Sequence, residues 1–250
     1  MTLFLVGGGP TDQLSDVHDV FAASIGARVR GIAGRAPRVA YLSAGVPDEV
    51  AQFKDAYLAP LLERLPEVEV TEVYLLPHAA DEPDPTVWPD DFDDMDAIIV
   101  AGGHTPSYLA GLAPHRDQLA RMVRGDVHYL GYSAGASITS RHALIGGWQL
   151  NGRPVASQQW SEGLDEATVI DGLAMITPTI ATHADVALND GLVIGVLEAD
   201  LTRQCVGIDE HTCLVVDPIT GRTAHYGRGR LRWFSRESSS VVVTTQHVDA

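Results

Sequence analysis

Val127-His128-Tyr129-Leu130-Gly131-Tyr132-Ser133-Ala134-Gly135-Ala136-Ser137 is the stretch from which the fold is read. Val127 to Gly131 has the apolar, β-favouring character of a strand, and Ala134 to His142 is expected to be a helix. Ser133 stands between them, with glycine two residues before and two after. That is the pattern of a nucleophile elbow, a turn so sharp that the flanking positions pass too close for side chains while the serine hydroxyl is left exposed. The Gly-x-Ser-x-Gly pattern alone is common, and its weight here comes from the strand-turn-helix setting. The competing reading is a tight turn with a capping serine.

Working outward, the same alternation recurs. Leu3 to Val6 reads as a strand running into Gly7-Gly8-Gly9-Pro10, after which Leu14, Val17, Phe21 and Ile25 mark one helix face. Arg38 to Leu42 and Val68 to Leu75 read as further strands. Between them Val50, Phe53, Tyr57, Leu61 and Leu65 mark a helix that Pro60 is expected to kink or restart. Asp81 to Asp96, with eight acids and three prolines, reads as a surface loop of solvated charge. Ala97 to Ala101 is a fully apolar strand of the central kind, and Leu109, Leu112, Leu119, Met122 and Val123 mark a helical crossover. Beyond Gly146 come short strands at Cys205 to Ile208, Cys213 to Val216, Thr223 to Tyr226, Leu231 to Phe234 and Val241 to Thr244. The expected fold class is α/β: an open, mainly parallel sheet flanked by helices, with an antiparallel C-terminal extension of the same sheet, in one domain over residues 1–250.

Composition narrows the chemistry. The 17 Lys+Arg against 33 Asp+Glu leave a formal charge of −16, which argues against a nucleic-acid or anionic-membrane partner. Lys54 is the sole lysine, so a P-loop and a Schiff-base lysine are both nearly excluded. A hydrophobic fraction of 45% is enough for a real core. Cys205 and Cys213 form no framework, and a reduced compartment is the simpler expectation. With no signal-like start and no run near the ~20 apolar residues of a membrane span, a soluble cytoplasmic protein is expected. Self-association stays open.

A serine nucleophile needs a base and a group to orient it. His183 ends the apolar run from Thr179 on the side where Ser133 would project, Asp185 lies two residues on, and Glu210 follows the strand Cys205 to Ile208. Strand ends of this kind converge in open α/β sheets. Spacing leaves each of them about even against a loop histidine or a solvated turn acid, and His225 or His247 would serve an α/β-hydrolase esterase instead.

Ala101-Gly102-Gly103-His104-Thr105, Gly131 to Ser137, Thr179 to His183 and Val206-Gly207-Ile208-Asp209-Glu210-His211-Thr212 together resemble the serine peptidases that include dipeptidase E and cyanophycinase. The resemblance covers most of the chain in order. It implies a class I glutamine-amidotransferase-like fold with Ser133 as nucleophile, His183 as general base and Glu210 as the carboxylate orienting it. It also implies an oxyanion hole of the Gly103 and Ala134 N–H groups. Gly102, His104, Tyr132 and Asp185 are the expected substrate-facing neighbours, and the implied substrate is a small peptide or related amide, with no cofactor. A different class, a non-catalytic ligand-binding protein on the same fold, stays open.

Two departures bear on substrate. His104 stands where dipeptidase E has asparagine. The stretch after His183, where the family is rich in arginine and glycine, holds Asp185 and Asp190 and no arginine before Arg203. Neutral or basic groups beside the scissile bond are therefore expected unless Arg203, Arg228 or Arg230 reaches in. Gly7-Gly8-Gly9 reads as a tight turn in preference to a phosphate cradle. Glu210, His211 and Cys213 are not expected to converge on a metal. Trp148 and Trp160 are expected to wall a pocket or fill core.

Overall fold

Three strands whose every residue is buried, β1 (Leu3–Val6), β4 (Ala97–Val100) and β5 (His128–Tyr132), form the middle of the molecule. Continuous apolar runs of this kind need cover on both faces, which is why they lie at the centre of a sheet. The structure, a computed structural model, describes residues 2–30, 35–77 and 85–247. Its remaining strands are β2 (Arg38–Ala44), β3 (Glu69–Leu75), β6 (His142–Gly146), β7 (Gln149–Leu150), β8 (Arg153–Pro154), β9 (Thr168–Asp171), β10 (Thr179–Ala181), β11 (Gln204–Ile208), β12 (Thr212–Val216), β13 (Thr223–Gly227), β14 (Arg230–Arg236) and β15 (Val241–His247). The helices are α1 (Ser15–Val29), α2 (Pro47–Arg64), α3 (Thr105–Leu112), α4 (Arg116–Arg124), α5 (Ala134–Ser137) and α6 (Asp190–Glu198).

The main sheet has the order β13-β12-β1-β5-β4-β2-β3. From β1 to β3 every pairing is parallel, and β12 and β13 add to the β1 edge antiparallel. The expected C-terminal extension is thus only partly as read from the sequence. β10, β11, β14 and β15 form a second, four-stranded sheet in which β10 and β11 are parallel and the rest antiparallel. The chain changes sheets between β11 and β12, because β12 fills the free edge of β1 while β11 is already paired on both sides. Residues 209–211 therefore sit at the crossing, beside the carboxyl ends of β1, β5 and β10. One apolar cluster spans both sheets, joining Phe4, Ile98 and Leu130 to Val206, Ile208 and Leu231.

Three local expectations are corrected. The helix expected over Ala134 to His142 stops at Ser137, because Ile138, Thr139 and Ser140 offer their carbonyls to the N–H groups of Leu173, Met175 and Ala174. The Thr139 and Ser140 hydroxyls also bond back to the carbonyls of Ala136 and Ser137, the competition with the helix that these residues favour. Pro60 does not restart α2, which runs through it as one helix. The carbonyl that proline leaves without an intrahelical donor, that of Ala56, accepts from the Thr11 hydroxyl instead. The acidic loop is not all solvated charge: residues 81–84 lie outside the described residues, but Asp96 is fully buried. Burial alone would raise the Asp96 pKa, yet hydrogen bonds from Arg35, the Arg38 backbone N–H and Arg28 outweigh it and hold the carboxyl below its usual range.

Two buried histidines make the fold acid-sensitive. Burial is the main cause that brings both His18 and His128 down from 6.5 to about 4, and the Arg64 charge adds to the effect on His18. The unfolded chain takes up these protons below about pH 6.5 while the folded chain stays neutral until about pH 4, so stability present at neutral pH is lost as the pH falls through that window. Between pH 7 and pH 5 each should contribute a loss of about 2 kcal/mol. Urea unfolding at the two pH values should show a smaller loss in His18→Asn than in the parent, and equal losses would refute the assignment. Among the described residues no helix is long and apolar enough to cross a membrane.

Candidate active site

Ser133 leaves β5 at φ 49 and ψ −109, a conformation costing a non-glycine residue about 1–3 kcal/mol. The surroundings hold it there. Its N–H extends the β5–β1 ladder to the Val6 carbonyl at 2.9 Å, and its own carbonyl accepts from Ala136 and Ser137, both at 2.9 Å. The flanking glycines are a steric necessity: a Cβ on Gly131 would meet the Gly135 carbonyl oxygen at 2.4 Å, and one on Gly135 would meet that of Val100 at 2.4 Å.

His183 follows β10, and its N–H bonds to the Gly7 carbonyl at 2.8 Å. Gly8, at φ 125, passes directly beneath the imidazole, where a Cβ would fall 2.1 Å from Cε1. The glycine run after β1 thus makes the tight turn expected of it and also makes room for a ring that arrives from 175 residues further along the chain. Ser133 Oγ lies 2.7 Å from His183 Nε2, and His183 Nδ1 lies 2.8 Å from Glu210 Oε1. With its proton on Nδ1, the imidazole donates to the carboxylate and accepts from the serine hydroxyl. Both side chains are largely buried, at 19% and 21% exposure, so the pair is shielded without being sealed from solvent. Trp160 covers the imidazole, its ring centroid 4.9 Å away at an interplanar angle of 32°.

The Glu210 turn is anchored from beneath. Its N–H donates to Asp185 Oδ1 at 2.9 Å, so Asp185 clamps the backbone that presents the carboxylate. The neighbouring Asp209 is buried and accepts from Arg232 at 2.9 Å and Arg230 at 3.0 Å, and Arg232 also reaches Asp190 at 2.6 Å. The Gly102–Gly103 peptide is held from two sides. The Gly102 N–H donates to Tyr57 Oη at 3.2 Å, and the Tyr108 hydroxyl donates to the Gly102 carbonyl at 3.1 Å. Across a trans peptide the Gly103 N–H then points away from Tyr108. Among the described residues neither that N–H nor the one of Ala134 has a protein acceptor.

Ser133 and His183 open on a cleft of about 410 Å³, whose walls include Tyr57, Gly103, Tyr132, Trp160 and Glu162. Of the expected substrate-facing residues, Gly102 and Tyr132 line it, with the Tyr132 hydroxyl tied to His18 Nε2 at 2.7 Å. His104 and Asp185 are not among the lining residues. The His104 ring lies 2.8 Å from Ser107 Oγ and 3.1 Å from the Glu162 carbonyl, fastening the loop that carries Trp160 to the start of α3. His225 pairs opposite Leu214 at the outer edge of the main sheet and His247 ends β15, so the esterase reading has no base at Ser133. Arg203, Arg228 and Arg230 are turned to Asp200, Gln13 and Asp209. Glu162 and Tyr108 were not read from the sequence; nothing local marks either one. Among the described residues no cluster of three His, Cys, Asp or Glu is placed to hold a metal ion.

No family model matches the chain, and no curated protein matches its sequence. Solved structures do match. The chain is similar to a peptidase from an acI-B1 Actinobacterium over 98% of its own length and 96% of that chain, with a TM-score of 0.63 at 17% identity. It is also similar to a putative peptidase E protein from Listeria monocytogenes EGD-e, over 91% of this chain and 98% of that one, with a TM-score of 0.52 at 16% identity. The chain has the mixed α/β fold of these peptidase E-like structures, a mainly parallel central sheet flanked by helices.

Proposed function

We propose that this protein is a serine peptidase of the kind that includes dipeptidase E and cyanophycinase, cleaving small peptides or related amides through Ser133, His183 and Glu210. The observation that carries the reading is the chain of hydrogen bonds at 2.7 Å and 2.8 Å from Ser133 through His183 to Glu210, on a strained elbow facing a cleft. His183 Nε2 takes the proton of Ser133 Oγ as the oxygen attacks the substrate carbonyl carbon. The negative oxygen of the tetrahedral intermediate is met by the N–H groups of Gly103 and Ala134. His183 then returns the proton to the departing amine, the C–N bond breaks, and an acyl ester remains on Ser133. Water, deprotonated by the same imidazole, releases the acid. Glu210 accepts from Nδ1 throughout, holding the tautomer and stabilising the imidazolium.

The structural neighbours are named as peptidases, which supports the peptidase part of this reading. The test is covalent labelling with a fluorophosphonate, which reacts only with an activated serine. Intact mass and peptide mapping should find a single adduct on Ser133 and none in Ser133→Ala. A wild-type protein left unlabelled at millimolar probe over hours would overturn the proposal.

A further inference from the structure

We infer that Glu162, with Asn189 and the Trp160 ring beside it, forms a subsite for a cationic group of the substrate next to the scissile bond. The inference rests on the peptidase reading above and specifies its substrate. Glu162, Trp160 and His183 line the cleft of Ser133 and also a smaller cavity of about 60 Å³, so Glu162 borders both. No lysine or arginine lines either space among the described residues.

Glu162 Oε2 accepts the Thr105 N–H at 3.2 Å and Oε1 accepts the Thr105 hydroxyl at 3.1 Å. Both partners are neutral, and each oxygen keeps further lone-pair capacity. The start of α3 offers roughly half an elementary positive charge, which leaves the carboxylate undercompensated. Asn189 lines the smaller cavity, and its Nδ2 donates to the Thr182 carbonyl at 3.1 Å, which fixes the amide. Its Oδ1 is buried with no partner among the described residues. The exposed indole of Trp160 adds an aromatic face, the surface on which cations are held. An ammonium placed there would meet the Glu162 carboxylate as a charged acceptor, whereas an aspartyl carboxylate would face another carboxylate with no lysine or arginine lining the space.

The structural alternative is that Glu162 only caps α3. That role needs an acceptor and no charge, so Glu162→Gln separates the two. The substrate cation has two sources, a free α-amino terminus or a basic side chain. The experiment uses aminoalkylphosphonate diphenyl esters that label Ser133: free-amine alanyl, N-acetyl-alanyl, N-acetyl-lysyl and N-acetyl-aspartyl, compared by second-order rate of inactivation and intact mass. At least one cationic probe should react about 10-fold faster than N-acetyl-alanyl, the value of a partly buried charge pair near 1.4 kcal/mol, with N-acetyl-aspartyl slowest. An advantage for the free amine assigns the subsite to a chain terminus, and one for N-acetyl-lysyl assigns it to a side chain. In Glu162→Gln the cationic-to-neutral ratio should fall toward one. Labelling of Ser133 with no preference for cations, or a preference that survives Glu162→Gln, overturns the subsite and leaves the peptidase reading standing. No labelling by any probe overturns both. If the variant does not fold, the ordering of the wild-type rates decides.

Discussion

Ser133→Ala should lower kcat on any substrate of the wild type by on the order of 10⁴-fold or more while leaving the fold intact. The two halves of that expectation have separate reasons. The substitution removes one hydroxyl, and its only partner among the described residues is His183 Nε2, which can bond to water in the open cleft. Alanine must accept the same φ of 49, but so did serine, and the contacts that impose it are made by the backbone of residue 133. Turnover should fall so far because neither of the two cysteine thiols can substitute. Cys205 and Cys213 are both fully buried, and burial pushes both thiols far up, away from the reactive thiolate. Thermal unfolding within a few degrees of the parent, together with steady-state hydrolysis, is the measurement. Retention of even a tenth of wild-type turnover would remove Ser133 from the chemistry.

The second large effect belongs to His183. His183→Ala should approach the Ser133→Ala loss, since groups acting as one unit do not contribute additively, and the double variant should be little worse than either single one. Glu210→Gln should cost less. Its amide leaves Ser133 and His183 able to pair, yet it removes the charge that favours the imidazolium and permits the wrong tautomer. Kinetics of Ser133→Ala, His183→Ala, Glu210→Gln and the Ser133/His183 double variant read all of this. Multiplicative losses in the double variant would show that Ser133 and His183 do not work together.

The order of legibility follows physical range. The five parallel strands and the elbow could be read from the sequence because their causes are local. Apolar runs such as Leu3–Val6 and Ala97–Val100 announce burial on both faces, and the turn at Ser133 tolerates nothing but glycine at residues 131 and 135. The helical crossover marked by Leu109, Leu112, Leu119, Met122 and Val123 is built as α3 and α4 with a 3-10 turn at Ala113–His115 between them. The region from residue 141 to 203 carried almost no readable pattern. Its strands are two to five residues long and pair with partners chosen by the fold, and α6, hydrophobic nearly all round, has no stripe to betray it.

His183 and Glu210 were visible as residues at strand ends, on even terms with a surface histidine and a solvated acid. Their neighbours in space are made by the change of sheet after β11, a long-range outcome of which strand takes the free edge of β1. The same holds for the anchors. Asp185, read as a substrate neighbour, meets the Glu210 N–H, and Arg232 meets Asp209 from across the second sheet. The amino-acid sequence by itself determined the layered α/β plan and the strained serine, because hydrophobic periodicity and glycine sterics act over a few residues. Only the tertiary structure decided which of ten histidines stands 2.7 Å from that serine, and that Glu162 lines the same cleft. Such contacts join segments tens of residues apart, and nothing in either segment alone specifies the other.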